Sequence, residues 1–311
     1  MNIVCCIDRN YVMPAGVLIT SICINNPDAQ IAFHIVCNPN VTRQDKDDLT
    51  QIVEKYGNKI LFYGVDERML SSFTVGKAGQ SPHITIATYY RLLLPLILPE
   101  KIDKILYLDA DIIVRGDLMP FYDSDIEGYA VGAVTDMSSG LITMFNRLRY
   151  SERLGYFNAG VLLINLKYWR EHNIFGECFE FAKNYPDRIK FHDQDILNYV
   201  LRERKKFFPL TYNFQDTFMY DLPSISLEKY EDELLATEKN PVVIHYIMKP
   251  WFKKCIHPYK GEFLKYKALT KWRKQHLVPL TFKEKIKLLL GRMGLVKIYP
   301  PAPFKKLEPL D

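Results

Sequence analysis

The sequence predicts an α/β protein with a mostly parallel central sheet flanked by helices. Apolar strand-like runs and helical stretches alternate at the start of the chain, as Asn2–Ile7, Val12–Ile24, Gln30–Cys37, Thr42–Tyr56 and Lys59–Val65. Such alternation builds parallel strands with covering helices. Further on, Lys104–Leu108 and Val161–Ile164 are apolar almost throughout, the pattern of strands buried on both faces. A chain of 311 residues, 48% hydrophobic and 25% charged, suits one large or two average globular domains.

Asn2–Ile7 reads as the first buried strand, and Asp8-Arg9-Asn10-Tyr11 as the loop at its C-terminal end. Ligands of open α/β sheets sit beyond the C-terminal ends of strands, so Asp8, Asn10 and Tyr11 are placed to meet one. The same residue types also suit a helix-capping turn. No Gly-x-Gly-x-x-Gly or Gly-x-x-x-x-Gly-Lys-Ser/Thr occurs, which argues against dinucleotide and P-loop sites. Thr85–Leu94 has helical spacing, with Arg91 set among its apolar residues. An arginine there requires a carboxylate or phosphate partner.

The organising stretch is Lys104–Val114. An apolar strand runs into Asp109-Ala110-Asp111, and a second apolar run follows. Carboxylates at the end of a buried strand need compensation, because an unpaired buried charge is costly. In extended backbone, residues i and i+2 share a side, so Asp109 and Asp111 are expected to converge with Ala110 turned away. A hard divalent cation such as Mg²⁺ or Mn²⁺ would supply the missing charge. A solvated turn is the alternative reading of so short a motif.

Ala130–Val134 reads as another strand. Tyr156–Asn165 is a loop feeding a strongly apolar strand, with Asn158 at its entry and Ala159 and Gly160 small enough for close approach. Phe191–Asn198 opens a helix that His192 or Asp193 can cap, and it presents Asp193, Gln194 and Asp195 together. Pro241–Ile244 is a strand ending at His245, either a metal ligand or a neutral core imidazole, with Lys249 and Trp251 close behind. Residues 205–240, with Tyr212, Phe214, Phe218 and Tyr220, are expected to line an acceptor site.

Cysteines at 5, 6, 23, 37, 178 and 255 form no Cys-x-x-Cys pair, so reduced buried thiols of a cytoplasmic protein are expected. Ile3–Ile7 is too short for a secretion signal, and Leu92–Leu98, broken by Pro95, is too short to span a bilayer. The net charge of +5 hides an asymmetry: residues 251–311 carry 15 Lys/Arg against 4 Asp/Glu. A basic tail suits nucleic acid or an anionic membrane. Thr281 and Glu284 have capping-box form. Phe282, Ile286, Leu289, Leu290 and Met293 then share one face, Lys283, Lys285, Lys287 and Arg292 lie outside it, and Gly294 is a natural stop. Such a helix is expected to lie in a membrane interface, with docking on the protein body as the alternative.

The segments IVCCIDRNY, TYYRLLLP, YLDADIIV, YFNAGVLLIN, HDQDILN and IHYIMKPW follow in this order over residues 1–255. As a set they resemble glycosyltransferase family 8, above all its bacterial galactosyl- and glucosyltransferases of lipopolysaccharide synthesis. The resemblance implies a GT-A fold, a UDP-hexose donor, Mn²⁺ (or Mg²⁺) dependence and retention of anomeric configuration. It implies Asp109, Asp111 and His245 as metal ligands, and Asp8, Asn10 and Tyr11 as uridine contacts. Arg91, Asn158, Asp193 and Gln194 become donor-sugar contacts, with Gln194 and Asp193 at the reacting centre and Lys249 on the diphosphate. The family pattern His-x-x-Gly-x-x-Lys-Pro-Trp is two residues shorter here and lacks its glycine, so Lys249 is where the match is least complete.

The expected organisation is a catalytic domain over residues 1–255 and a basic tail over 256–311. The expected partners are a UDP-hexose, a glycan or lipid-linked saccharide acceptor and an anionic membrane surface, with no nucleic acid. That places the enzyme on the cytoplasmic face of the membrane, in cell-surface polysaccharide synthesis. A sugar-phosphate nucleotidyltransferase and a non-catalytic carbohydrate-binding protein are the alternatives. The former should show a Gly-rich, Arg-containing loop where this chain has Asp8–Tyr11.

Overall fold

A computed structural model describes residues 1–71, 73, 86–136, 141–219, 230–293 and 295. Among these residues the strands are β1 (Asn2–Ile7), β2 (Ala32–Cys37), β3 (Lys59–Gly64), β4 (Lys104–Leu108), β5 (Ile112–Val114), β6 (Val131–Thr135), β7 (Phe157–Asn165), β8 (Lys205–Phe208), β9 (Phe214–Gln215) and β10 (Val243–His245). The large sheet has the order β3-β2-β1-β4-β7-β6-β8. Strands β1 to β4 are parallel, β7 runs antiparallel to β4 and β6, and β8 is parallel to β6. A small sheet, β5-β10-β9, packs beside it. The chain thus adopts the mixed α/β architecture of the GT-A fold, with a mostly parallel central sheet and flanking helices.

Alternate residues of a strand point to opposite faces, and both faces of the large sheet are covered. Val4, Ile105, Tyr107, Leu162 and Ile164 join one core. Ile3, Cys5, Leu106, Leu108, Val161 and Leu163 join the other. This is why β4 and β7 are apolar without alternation. Each fully buried Leu or Ile contributes roughly 1.5–3 kcal/mol. Helix α1 (Val12–Asn25) is buried continuously from Val12 to Cys23, so it sits inside the molecule rather than on its surface. Helix α2 (Arg43–Lys55) starts in a Thr42–Asp45 capping box and turns Leu49 and Val53 inward.

Two expectations change. The TYYRLLLP stretch winds as a 3₁₀ helix over Ile86–Leu93, followed by one α-turn at Leu94–Ile97. Five consecutive residues, Tyr89–Leu93, are buried there, so tertiary packing on several sides overrides the amphipathic pattern. Thr85 lies outside the described residues.

The second change is the domain boundary, which does not fall at residue 255. The helix Lys260–Ala268 buries Phe263 and Tyr266 in a cluster with Met13, Val17 and Trp251. Asn25 Nδ2 donates to Tyr266 Oη at 2.8 Å. Trp272 packs so tightly on α1 that a methyl at Gly16 would lie 2.9 Å from its Cη2. Phe252 and Val278 pair as a parallel bridge. The chain therefore stays in the body through Val278, because its aromatic residues complete the core over α1. The helix Phe282–Arg292 follows. Thr281 and Glu284 cap it reciprocally, with Thr281 N–H donating at 2.8 Å and Glu284 N–H at 3.3 Å. Phe282, Ile286, Leu289 and Met293 are exposed. Gly294 lies outside the described residues.

Candidate active site

The site lies at the C-terminal ends of β1 and β4, adjacent strands of the large sheet. Ligands of α/β sheets gather at such ends. Asp8 follows β1, and Asp109-Ala110-Asp111 follows β4. The Asp-Ala-Asp segment is not extended strand, as the sequence suggested, but a turn that carries the chain from the large sheet to the small one. Each sheet holds one end of it. Asp109 N–H donates to Gly160 O on β7 at 2.8 Å, and Asp111 O accepts from Tyr246 N–H at 2.9 Å. The carboxylates converge through this turn rather than through strand alternation, and Ala110 lines the same cleft instead of facing away.

His245, the last residue of β10, pairs in register with Ile112, which sets it beside Asp111. Asp109, Asp111 and His245 each offer a ligand atom, all within 4.8 Å of one another. His245 Nε2 lies 3.3 Å from Asp111 Oδ1 and 4.0 Å from Asp109 Oδ2. Asp111 Oδ1 is buried without a hydrogen-bond partner. Gly160 leaves the space open, since a methyl there would lie 2.9 Å from both Asp109 Oδ2 and His245 Nδ1. Two carboxylates, one of them with an orphaned oxygen, and an imidazole nitrogen fit a divalent cation.

Lys249 Nζ forms an ion pair with Asp111 and also donates to Tyr246 O at 3.2 Å. The short His245–Lys249 segment therefore still brings the ammonium to the acid pair. Burial works against the Asp111 charge, but Lys249 and His245 outweigh it and hold the carboxyl well below the usual range. Burial likewise opposes the Lys249 charge, and Asp111 overrides it to raise the ammonium above its ordinary value. Burial pushes the Tyr11 hydroxyl up to about 12.

Arg91 links the acid pair to the helix His192–Val200. Its NH2 group meets Asp109 Oδ1 at 2.8 Å and its Nε meets Asp193 Oδ2 at 2.9 Å. Its remaining nitrogen donates to Ala159 O. Thr88 Oγ1 donates to Asp193 Oδ1 at 2.6 Å, and Tyr107 Oη to Asp109 Oδ1 at 2.7 Å. The carboxylate partner that the sequence offered Arg91 is thus supplied twice, by Asp109 and Asp193. Burial pushes the Asp193 carboxyl up, while Arg91 and Thr88 act against it.

The helix start is not capped by His192 or Asp193. Asp195 does that work: it is fully buried and accepts from Phe191 N–H at 2.6 Å, Lys190 N–H at 2.7 Å and Tyr156 Oη at 2.9 Å. Arg147 adds two further bonds to it at 2.7 and 3.0 Å. His192 takes φ of 50°, a left-handed conformation that turns Asp193 toward Arg91. Gln194 accepts from Ala159 N–H at 3.0 Å and donates to Asp136 Oδ2 at 3.3 Å.

Asn158 is buried and stands behind the cluster. It accepts from Gly160 N–H at 2.9 Å and from Asn213 Nδ2 at 3.0 Å, and donates to Asp136 Oδ2 at 2.9 Å. Asn213 Oδ1 in turn meets His245 Nδ1 at 3.0 Å, which fixes the imidazole with Nε2 toward the acids. Asn213, Asp136 and Tyr107 were not expected at the site. Asp136 follows β6 as Asp8 follows β1, so the strand-end rule could have found it. Of the expected acceptor residues, Phe214 and Phe218 are buried and stacked on each other, while Tyr212 is half-buried and stacks on Phe121. Tyr220 lies outside the described residues. Asp8 and Tyr11 line the cleft with Arg91, Asp109, Asp111 and Lys249. Asp8 Oδ1 accepts Asn10 N–H at 2.8 Å, so its capping and ligand-facing readings coexist.

An acid pair at the sheet's C-terminal edge, in a cleft it shares with Arg91 and Lys249, suits an enzyme that handles a phosphorylated donor. The chain belongs to glycosyltransferase family 8: the model described as "Glycosyl transferase family 8" matches residues 2–255. It is therefore a sugar-transferring enzyme, with a nucleotide-sugar donor and a glycan acceptor. It is 31% identical to General stress protein A of Bacillus subtilis, over 88% of this chain and 94% of that protein. It is 30% identical to the lipopolysaccharide 1,3-galactosyltransferase of Salmonella typhimurium, over 87% of this chain and 79% of that one. Among solved structures it resembles the galactosyltransferase LgtC in complex with donor and acceptor sugar analogues. The TM-score is 0.78 at 30% identity, covering 88% of this chain and 99% of that one.

Proposed function

We propose that this protein is a divalent-metal-dependent, retaining hexosyltransferase that moves galactose or glucose from a UDP-hexose to a saccharide acceptor, in lipopolysaccharide or related cell-surface polysaccharide synthesis. The observation that carries the reading is the Asp109–Asp111–His245 cluster, joined through Arg91 to Asp193 in one cleft. The similarity to lipopolysaccharide galactosyl- and glucosyltransferases supports the donor and the pathway class.

Asp109, Asp111 and His245 would hold Mn²⁺ or Mg²⁺, which would supply positive charge to a diphosphate leaving group. Lys249 exchanges its ion pair with Asp111 for the diphosphate oxygens. Tyr11, Asp8 and Asn10 hold the nucleoside. Arg91 and Asp193 fix the hexose, and Gln194 flanks its anomeric carbon on the acceptor side. Asn158 acts from behind, by holding Asn213 and Gly160 rather than by touching sugar.

Retention through a covalent intermediate requires a free carboxylate nucleophile. Asp195 has five donors on its two oxygens, and Asp193 is tied to Arg91 and Thr88. Front-side attack by the acceptor hydroxyl, its proton taken by the departing phosphate, is the course these contacts favour. The test is hydrolysis of UDP-galactose and UDP-glucose with and without Mn²⁺. Metal-dependent release of UDP from one of them is expected, and no release from any UDP-hexose would defeat the reading.

The helix Phe282–Arg292 is proposed as a membrane-surface anchor. Its exposed Phe282, Leu289 and Met293 and its lysines 283, 285 and 287 suit an anionic interface. No helix among the described residues is long and apolar enough to cross a membrane.

A further inference from the structure

A second cavity, of about 600 Å³, lies on the far side of Tyr11 and Lys249 from the metal cluster. Tyr11 and Lys249 line both this cavity and the cleft of the acid pair, so the two spaces share a wall. Asn10 lines the outer cavity and not the inner cleft. Its far wall comes from Trp272, Gln275, His276, Leu277 and Val278, in the segment Lys271–Val278. These residues lie beyond the 2–255 stretch that the family model matches.

The wall is anchored at several points. The Lys267 ammonium, on a residue only 4% exposed, donates to Trp272 O at 2.6 Å and to Gln275 O at 2.7 Å. Val278 N–H donates to Trp251 O and Lys253 N–H donates to Val278 O, both at 2.9 Å. Lys271 pairs with the buried Asp48 of α2, and Trp272 fills the space left by Gly16 of α1. A buried lysine committed to two loop carbonyls fixes the strap in one conformation.

A nucleoside-diphosphate sugar is linear, running from hexose through diphosphate and ribose to base. With the hexose end at Arg91 and Asp193 and the diphosphate at the acid pair, the base end falls beyond Tyr11. We propose that the strap Lys271–Val278 closes the base end of the donor site, with Trp272, Gln275 and His276 contacting the nucleobase. Trp272 offers an aromatic face, and Gln275 and His276 offer donors and acceptors to a base rich in carbonyl and N–H groups. The inference rests on the UDP-hexose reading and adds a specificity-determining element outside the family-matched region.

The test compares binding of UDP and of inorganic pyrophosphate, both with Mn²⁺, by the full chain and by a Gln275→Ala/His276→Ala double variant. Both side chains are exposed, so melting should not change. The variant should lose about tenfold in UDP affinity, the scale of one lost stacking or hydrogen-bonding contact, and bind pyrophosphate as before. UDP, and not pyrophosphate, should slow amide exchange across 271–278. Unchanged UDP affinity without that protection overturns the proposal. So does an equal loss for both ligands, which would put the strap at the diphosphate. A native chain that binds pyrophosphate but not UDP defeats the donor reading itself, and the strap's role with it.

Discussion

Gly160 of β7 lies so close to His245 of β10 that any side chain at 160 would displace the imidazole. An added methyl would sit 2.9 Å from His245 Nδ1 and from Asp109 Oδ2. Gly160→Ala should therefore lower Mn²⁺ affinity by at least about tenfold, the scale of a disturbed ligand support. Overpacking also costs about 1–3 kcal/mol of stability. Calorimetric titration with Mn²⁺, beside a thermal melt, separates the two. Undiminished affinity would mean that His245 is not a ligand.

Gln194 joins the Ala159 amide to Asp136 and lies beside Asp193. Removing a group that acts mainly at the reacting centre lowers kcat while leaving ground-state binding intact. Gln194→Ala should lower turnover by about tenfold and leave UDP affinity unchanged. Loss of UDP binding as well would move Gln194 to the nucleotide site or to the fold.

Acid sensitivity is expected from two buried imidazoles away from the acid pair. Burial pushes His34 down to about 4 and His257 down to about 3. His34 is buried between Tyr63 Oη at 2.9 Å and Asn2 Oδ1 at 3.1 Å. Folded values below the unfolded value of 6.5 mean that the unfolded chain binds more protons as pH falls. Their stability contribution is complete above about pH 6.5 and is lost progressively down to about 4 for His34. For His34 this amounts to roughly 3 kcal/mol. Melting temperature should fall less steeply over this range in His34→Gln than in the native chain. Parallel profiles would show that His34 takes up its proton without opening the fold.

Much of the fold was legible because burial on both sheet faces removes alternation, as in β4 and β7. The small sheet was not: β10 was expected as a strand, but β5 and β9 are too short to show a period that would pair them with it. Asp109 and Asp111 stood out because strand-end charges are costly without a partner, whereas His245 was open between ligand and core imidazole until the family resemblance was considered. The Arg91–Asp193 contact joins segments far apart in sequence, which left its partner's chemistry predictable but not its identity. Asn213 carries no charge and so gave no desolvation signal. The tail was misjudged from composition: its lysines are conspicuous, yet Phe263, Tyr266 and Trp272 decide where it packs.

Because the body extends through Val278, a cut after Thr270 would strip Trp272 from α1. Truncation after Leu280 removes only the exposed helix and the residues C-terminal to it. It should leave UDP-hexose hydrolysis and melting intact but abolish co-sedimentation with anionic vesicles, since each basic residue near such a surface contributes about 1 kcal/mol. Added salt should weaken attachment of the full chain. A truncated protein that still sediments would place the contact on the catalytic body.

The central claim is that Asp109, Asp111 and His245 hold the cation on which sugar transfer depends. Asp111→Asn keeps the shape of the side chain and removes its charge. The direct measurement is the initial rate of UDP-hexose hydrolysis against Mn²⁺ concentration for the native protein and this variant. The account predicts a loss of at least about 3 kcal/mol in transition-state stabilisation, more than a hundredfold in rate, at saturating metal. A near-native rate and an unchanged metal dependence in Asp111→Asn would contradict it.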